Sequence, residues 1–388
     1  MTGVGAVVVG GDYQGLGIVR SLGRRGIPVC IVDDERSIGR FSRYATASVR
    51  VGDLRDERRC ADTLLAVAAR HRLDGWVVYP TREETVAACS RYRDELSRCF
   101  RVPTPGWETI RFAWDKRNMH QRAQELGIPT ARTWWPADEA ELGRIEADPP
   151  LVIKPAIKEH FLYATGAKAW RVDTREELRR RFAEATAIAG PREAMVQELL
   201  PGDGYDRLAY CAFFKDGHAV ASLVARRLRQ HPPQFGRAST LVESVDVPQL
   251  EEPSHRFLSS IGYYGLVELE YMHDPRDGEF KLLDVNARTW GYHSIGGPAG
   301  VDFPWLLFAD QVGVQAAGGR GRAGVRWLRV ITDLPTAIHE VVRGRLGVRE
   351  YLRSLRHLDV EAVLSADDPL PFLAELALVP YLVARRGF

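Results

Sequence analysis

A row of polar side chains runs through the stretch KLLDVNARTWG, Lys281 to Gly291. Asp284, Asn286 and Arg288 stand two residues apart in an otherwise apolar run. Residues at i, i+2 and i+4 of a β-strand point to one face, so a carboxylate, an amide and a guanidinium share one side. Upstream, GLVELEYM places Glu268 and Glu270 on one face by the same period. A turn at Asp274–Gly278 folds the two segments into a hairpin and brings these glutamates opposite Asp284. An all-oxygen set on a rigid hairpin suits Mg²⁺, which takes one or two carboxylates and completes its shell with phosphate and water. Like charges this close repel unless a cation lies between them. A solvent-facing polar strand is the competing reading. The hairpin alone does not separate Glu268 from Glu270 as a ligand.

The elements around this hairpin predict a chain of mixed class. In the first hundred residues strands (VGAVVVGG, PVCIVDD, LDGWVVYP) alternate with helical patterns, which implies a parallel sheet covered by helices. RVPTPGW, residues 101–107, reads as a boundary. From about Leu151 short strands and helices give way to two hairpins, turning at Lys215-Asp216-Gly217 and at Asp274–Gly278, an α+β texture. The tail from about Val325 reads as helical and Arg-rich. Its apolar end, PLPFLAELALVPYLVARRGF, has the composition of a membrane-touching segment, but packing on its own domain is the reading preferred, since Pro380 interrupts a long interfacial helix. The early glycines Gly10, Gly11, Gly15 and Gly17, with Asp33 after them, imitate a dinucleotide site. Their spacing is not GxGxxG, and a tight strand-to-helix turn that binds no nucleotide is preferred.

Composition narrows the function classes. With 53 Lys plus Arg against 51 Asp plus Glu, the net charge of +2 favours neither nucleic acid nor an anionic membrane. The 5 cysteines form no CxxC pair, which points to a reducing cytoplasm and away from a zinc site or a disulfide framework. No signal peptide and no membrane span is expected. Six of the 53 basic residues are lysine, Lys116 and Lys154 among them, so a retained ammonium in an arginine-rich chain marks candidate positions.

Taken in order, DKRNMHQRAQELGIPTART, LVIKPA, VQELLPG, GLVELEY and LLDVNARTWG resemble the ATP-grasp superfamily, in its carboxylate–amine ligase branch that includes D-aspartate ligase-like enzymes. The resemblance runs through nearly the whole chain. It implies a Rossmann-like pre-ATP-grasp domain over 1–105, two α+β subdomains clasping ATP over 106–192 and 193–322, and a helical extension over 323–388. It also implies roles. Lys116 and Lys154 match the lysines that reach the phosphates. Glu198, between the backbone of Gln197 and Leu199, matches the hinge beside adenine and ribose, with Asp206 as a further ribose or substrate contact. Glu270, Asp284 and Asn286 match the Mg²⁺ ligands, Glu270 being favoured over Glu268 by the family pattern. The family more often has Glu-x-Asn-Pro-Arg where this chain has DVNAR, so Asp284 is one methylene shorter and Ala287 replaces proline. Arg288 matches the arginine facing the transferred phosphoryl group, a task suited to a planar, permanently charged fork.

The segment from Lys154 to Lys168 occupies the place of the phosphate lid, with a single Gly166; either the lid is stiffer than in relatives or His160, Tyr163 and Lys168 reach substrate or phosphate. In ARRLRQHPPQFGRAST, Arg226 and His231 are placed to meet a carboxylate, a solvated basic loop being the alternative. In YPTREET, Thr81 and Arg82 end a parallel strand where ligands gather in open sheets.

The resemblance implies that ATP, with two Mg²⁺, phosphorylates a carboxylate and that an amine displaces phosphate to give an amide. Lys154, Arg226 and Arg288 are the candidate catalytic cations. The partners expected are a small carboxylate and a small amine, amino acid or peptide-like, and a homodimer is compatible with them. A bicarbonate-using carboxylase of the same fold is the alternative. A dehydrogenase leaves the hairpin unexplained, and a non-catalytic nucleotide binder has no reason to keep Asp284, Asn286 and Arg288.

Overall fold

Two fully buried apolar runs, Ala6–Val9 (β1) and Val29–Asp33 (β2), join Ala47–Arg50 (β3) and Val77–Pro80 (β4) in a parallel sheet ordered β3-β2-β1-β4. This is a computed structural model; it describes residues 3–202, 207–236 and 238–386, the final 5 as backbone only. The glycine turn after β1 is filled by protein. Gly10 sits at φ +100°, and a Cβ on it would lie 2.2 Å from Thr81 Oγ1. A Cβ on Gly15 would lie 2.0 Å from the Gly10 carbonyl oxygen. Asp33 accepts from Gly11 N at 2.6 Å and pairs with Arg82 at 3.3 Å. Tight packing accounts for these glycines.

The second sheet is antiparallel, Thr133–Trp134 (β5), Leu151–Pro155 (β6), Trp170–Val172 (β7) and Ala194–Glu198 (β8), ordered β5-β8-β6-β7. It keeps its own core, including Ile153, Phe161, Phe182 and Val196. Because β8 pairs with β5 and β6, this sheet runs to Glu198, one strand beyond the boundary expected at 192.

The third sheet holds Arg207–Lys215 (β9), His218–His231 (β10), Ala238–Val245 (β11), Gly265–His273 (β12), Phe280–Asn286 (β13), Gly319–Arg320 (β14), Arg326–Leu328 (β15) and Val360–Glu361 (β16). Its order is β13-β12-β9-β10-β11-β15-β16, with β14 beside β10. Both expected hairpins form, and Asp216 (φ +51°) and Gly217 (φ +81°) adopt the left-handed backbone a tight turn needs. The C-terminal extension is not purely helical. Its strands β15 and β16 lengthen this sheet and bury Trp327, but runs of three and two residues are too short for a period to register.

One apolar core joins the first and third sheets, with Val8, Leu16 and Ile31 packed with Phe213, Trp290, Phe303 and Trp327. The extension is also tied to the first sheet by a buried ion pair, Arg20 Nε to Asp368 Oδ2 at 3.0 Å. Asp368 further accepts from Ser42 Oγ at 2.7 Å and Arg43 N at 2.9 Å. Replacing Asp368 with alanine strands the Arg20 cation, and we expect urea unfolding to show a loss of about 3–5 kcal/mol. A loss under about 1 kcal/mol would place the pair among dispensable surface bridges.

Candidate active site

The hairpin register puts Glu270 opposite Asp284 and Glu268 opposite Asn286. Apolar neighbours on the reverse face, Leu269 and Val285, are buried and hold the polar row toward the second sheet. Protein cations neutralise the row. Lys116 Nζ donates to Asp284 Oδ1, and Glu270 accepts from Arg227 Nη2 at 3.1 Å and from Arg207 Nη1 at 3.4 Å. Asn286 Nδ2 donates to Glu268 Oε2 at 2.9 Å and to Glu270 Oε1 at 3.4 Å, and the Tyr292 hydroxyl donates to Glu268 Oε1.

The electrostatics separate the two glutamates. Burial, with the Glu270 charge beside it, pushes Glu268 up to about 7. Burial acts on Glu270 as well, but Arg227 and Arg207 outweigh it and hold that carboxyl well below the ordinary range. Burial also opposes ionisation of Asp284, and Lys116 overcomes it. Among the described residues no group of three or more His, Cys, Asp or Glu is gathered as a metal cage. Mg²⁺ needs none, since two carboxylates facing a phosphate site meet its usual demand. Glu270 and Asp284 face each other across the hairpin as two carboxylates, with the Asn286 amide beside them.

Two cavities meet at this row. The larger, about 800 Å³, lies between the second and third sheets. Val152, Leu200, Met272 and Leu283 make its walls apolar at one end, beside Gln197, Glu198 and Leu199, while Lys116, Lys154, Lys158 and Lys168 line it toward Asp284. Burial and the neighbouring Lys116 lower Lys154 to about 7, and burial and Lys158 lower Lys168 to about 7. The second cavity, about 560 Å³, is walled by polar groups that include Gln14, Arg227, Glu268, Asn286, Arg288 and Tyr292. Lys158, Lys168, Glu270 and Asp284 line both.

Arg288 enters the polar cavity with its Nε 2.9 Å and its Nη2 2.7 Å from Glu83 Oε1. Glu83 opens the helix Glu83–Arg91 of the first sheet's layer, so this contact crosses from the N-terminal layer to the hairpin. Lys158 Nζ stands 3.7 Å from the same oxygen. The next residue, Glu84, accepts from the hydroxyl of Tyr163 on the helix Lys158–Thr165, over which Arg55 stacks at 4.1 Å.

The structure thus brings Lys116, Lys154, Lys168, Gln197, Glu198, Leu199, Glu268, Glu270, Asp284, Asn286 and Arg288 to the walls of these two cavities. Glu198 is already engaged, accepting from Arg132 N at 2.8 Å and Arg276 Nη2 at 3.1 Å. Asp206 lies outside the described residues. Five expected contacts are elsewhere. Arg226 is exposed on the opposite face of β10, and its neighbour Arg227 is the one that reaches Glu270. His231 bonds Thr336 Oγ1 at 2.8 Å, toward the C-terminal extension, and exposed His160 faces Glu193 at 2.9 Å. Thr81 Oγ1 donates to Val9 O at 2.8 Å, and Arg82 pairs with Asp34 at 2.7 Å, so both serve the first sheet.

The residues missed are Glu83, Lys158, Arg207, Arg227 and Tyr292. The scarcity of lysine pointed to Lys158 as much as to Lys116. Nothing local marked Glu83, which meets Arg288 across a separation of 205 residues.

Comparison with known proteins finds relatives by sequence and by fold. No protein-family model matches the chain. A curated D-aspartate ligase of Enterococcus faecium (strain Aus0004) is 23% identical over 302 residues, 73% of this chain and 70% of that one. An L-amino acid ligase structure from Bacillus licheniformis superposes with a TM-score of 0.60 at 16% identity, over 80% of this chain and 74% of that one. The biotin carboxylase domain of the Hydrogenobacter thermophilus 2-oxoglutarate carboxylase, solved with MgADP, ADP and bicarbonate, gives 0.64 at 18% identity, over 83% and 73%. The chain shares its fold with these enzymes. An N5-carboxyaminoimidazole synthase from Aspergillus clavatus, in complex with ADP and its aminoimidazole ribonucleotide, gives 0.59 at 17% identity, over 81% and 78%. The larger cavity lies between the second and third sheets, and the first sheet stands apart from it.

Proposed function

We propose that this chain is an ATP-grasp enzyme, an ATP-dependent carboxylate–amine ligase. The observation that carries the reading is the junction of two cavities at Glu270, Asp284, Lys158 and Lys168. The half-apolar cavity suits a nucleotide, with Gln197–Leu199 at the adenine and Lys116, Lys154 and Lys168 at the phosphates. The polar cavity suits a small charged acceptor, and the γ-phosphoryl group would stand between them. Glu270, Asp284 and Asn286 would hold Mg²⁺, which supplies neutralisation of the phosphate charge. Arg288 faces the acceptor side, where charge builds on the transferred group.

A carboxylate is a poor electrophile because its leaving group would be oxide. Attack of its oxygen on the γ-phosphorus expels ADP and leaves an acyl phosphate. An amine then attacks the carbonyl carbon, phosphate departs, and the nitrogen loses a proton to give the amide. The chain's residues have only to position and neutralise. The sequence relative is a D-aspartate ligase, which favours an amine over bicarbonate as the second partner.

The test is release of ADP and phosphate from Mg-ATP in the presence of pooled amino acids and small carboxylates. Full turnover should need both a carboxylate and an amine, and hydroxylamine should trap a hydroxamate of the acid. Stimulation by bicarbonate alone would replace this reading with the carboxylase. Failure to bind ATP would remove both.

The depressed lysines give a pH signature. In the free protein Lys154 and Lys168 lose their protons near 7, against an ordinary 10.5. Bound phosphates restore the charged form, so ATP binding takes up protons between about pH 7 and 10.5. Calorimetry in buffers of different ionisation enthalpy should report this uptake, and affinity should fall as pH rises through the window. Over the same range the unfolded chain binds more protons than the folded one, so the two lysines make stability rise with pH. Proton release on binding would contradict the assignment.

A further inference from the structure

The C-terminal helices Val330–Val342 and Val348–Ser354 leave an apolar stripe in solvent. Leu334, Ile338 and Val342, spaced i, i+4 and i+8, share one side of the first helix, and Val348 and Leu352 lie one turn apart on the second. These five side chains are between 46% and 81% exposed. The other side of the first helix, with Asp333, Thr336, Ala337 and Glu340, is buried and packs on β10 and β11. Single exposed leucines are ordinary on a protein surface, but five in two consecutive helices mark an interaction face.

Arginines outnumber the exposed acids around the stripe. Arg343, Arg349, Arg353 and Arg356 are exposed, and none makes an ion pair among the described residues. Of the acids in the same stretch, Asp333 is paired with Arg229 at 2.8 Å and Glu340 with Arg345, while Glu350 is exposed and accepts only from Gly347 N at 3.4 Å. Arg349 and Arg353 follow Val348 and Leu352 by one position, so they flank the stripe about 100° round the helix. No described helix is long and apolar enough to cross a membrane. An apolar stripe with arginine flanks has the composition of a helix face that lies in the plane of a bilayer.

We infer that this two-helix face docks on an anionic lipid surface, with Leu334, Ile338, Val342, Val348 and Leu352 at the acyl boundary and the arginines among the headgroups. A second copy of the chain fits less well, because a symmetric pairing brings the unpaired arginine flanks together. The tail expected to pack on its own domain is divided in the same sense: Phe372 and Leu378 pack on the core, while Leu370, Leu373 and Leu376 stay exposed, and the helix Leu370–Arg386 runs through Pro380 instead of being interrupted there.

Co-sedimentation of the full chain with vesicles tests this. We expect binding to phosphatidylglycerol–phosphatidylcholine vesicles that weakens with salt, and none to phosphatidylcholine alone. Arg349→Ser with Arg353→Ser should weaken binding roughly 25-fold, about fivefold for each arginine lost from an anionic surface. Val342→Ser with Leu352→Ser should abolish it with the thermal unfolding midpoint unchanged, since both positions are exposed. Absence of binding to the anionic vesicles overturns the inference, as does binding that neither variant alters. A dimer in light scattering that Val342→Ser with Leu352→Ser dissociates would give the face to a second copy and equally overturn it.

Discussion

Replacing Arg288 with methionine should slow ADP formation about 10³-fold while leaving Mg-ATP affinity within about fivefold, the pattern of a group that acts on the transition state. Arg288 lines the polar cavity and not the larger one, so it is placed to touch the group being transferred more than the nucleotide at rest. Its guanidinium is held by Glu83 at 2.7 Å, which fixes the fork in advance of reaction. Methionine keeps the length of the side chain and removes the charge and the donors. Because Glu83 is then left with Lys158 at 3.7 Å as its nearest cation, the variant Arg288→Met with Glu83→Gln separates loss of catalysis from a stranded carboxylate. Arg288→Lys restores charge without the planar fork and should recover only part of the rate. Single-turnover measurement of ADP reads the step directly. A higher KM with an unchanged kcat would move Arg288 to ground-state binding.

Asp284→Asn should cost at least about 10²-fold in kcat/KM for Mg-ATP and raise the Mg²⁺ concentration needed for half-maximal rate, an effect at or above that of changing an outer-sphere partner. Asp284 stands opposite Glu270, lines both cavities and is held ionised by Lys116 in spite of burial. Asparagine has the same shape, so the change isolates the charge. It also frees Lys116, whose ammonium then approaches the phosphates without its counterion. Nucleotide binding should therefore survive while the metal requirement shifts. A Mg²⁺ titration superimposable on that of the unchanged chain would show that Asp284 holds no metal.

Why some of the site could be read in advance, and some not, follows from the range of the contacts. The polar row and its opposing glutamates depend on a period of two and one turn, both contained in about twenty residues, Glu268 to Arg288. Lys154 ends a buried strand and is positioned by that strand. The choice between Arg226 and Arg227 was different. Two adjacent arginines face opposite ways, and only the pairing of β10 with its neighbours, which slips at Arg227, decides which one turns inward. For the same reason His160 was mistaken for Lys158, since a helix of eight residues carries little amphipathic signal to orient it.

The sequence by itself determined three of the four strands of the first sheet, the two hairpins with their turns and, through five ordered motifs, the fold. It also determined the chemistry of the row, because oxygen ligands and cations are properties of side chains. Only the tertiary structure decided that the row divides two cavities, that Glu83 fastens Arg288, that Arg207 and Arg227 neutralise Glu270, and that the C-terminal helices turn an apolar stripe outward. Each of those facts joins residues far apart along the chain. Local propensity and periodicity carry no information on such pairs, which packing brings together only when the three sheets assemble.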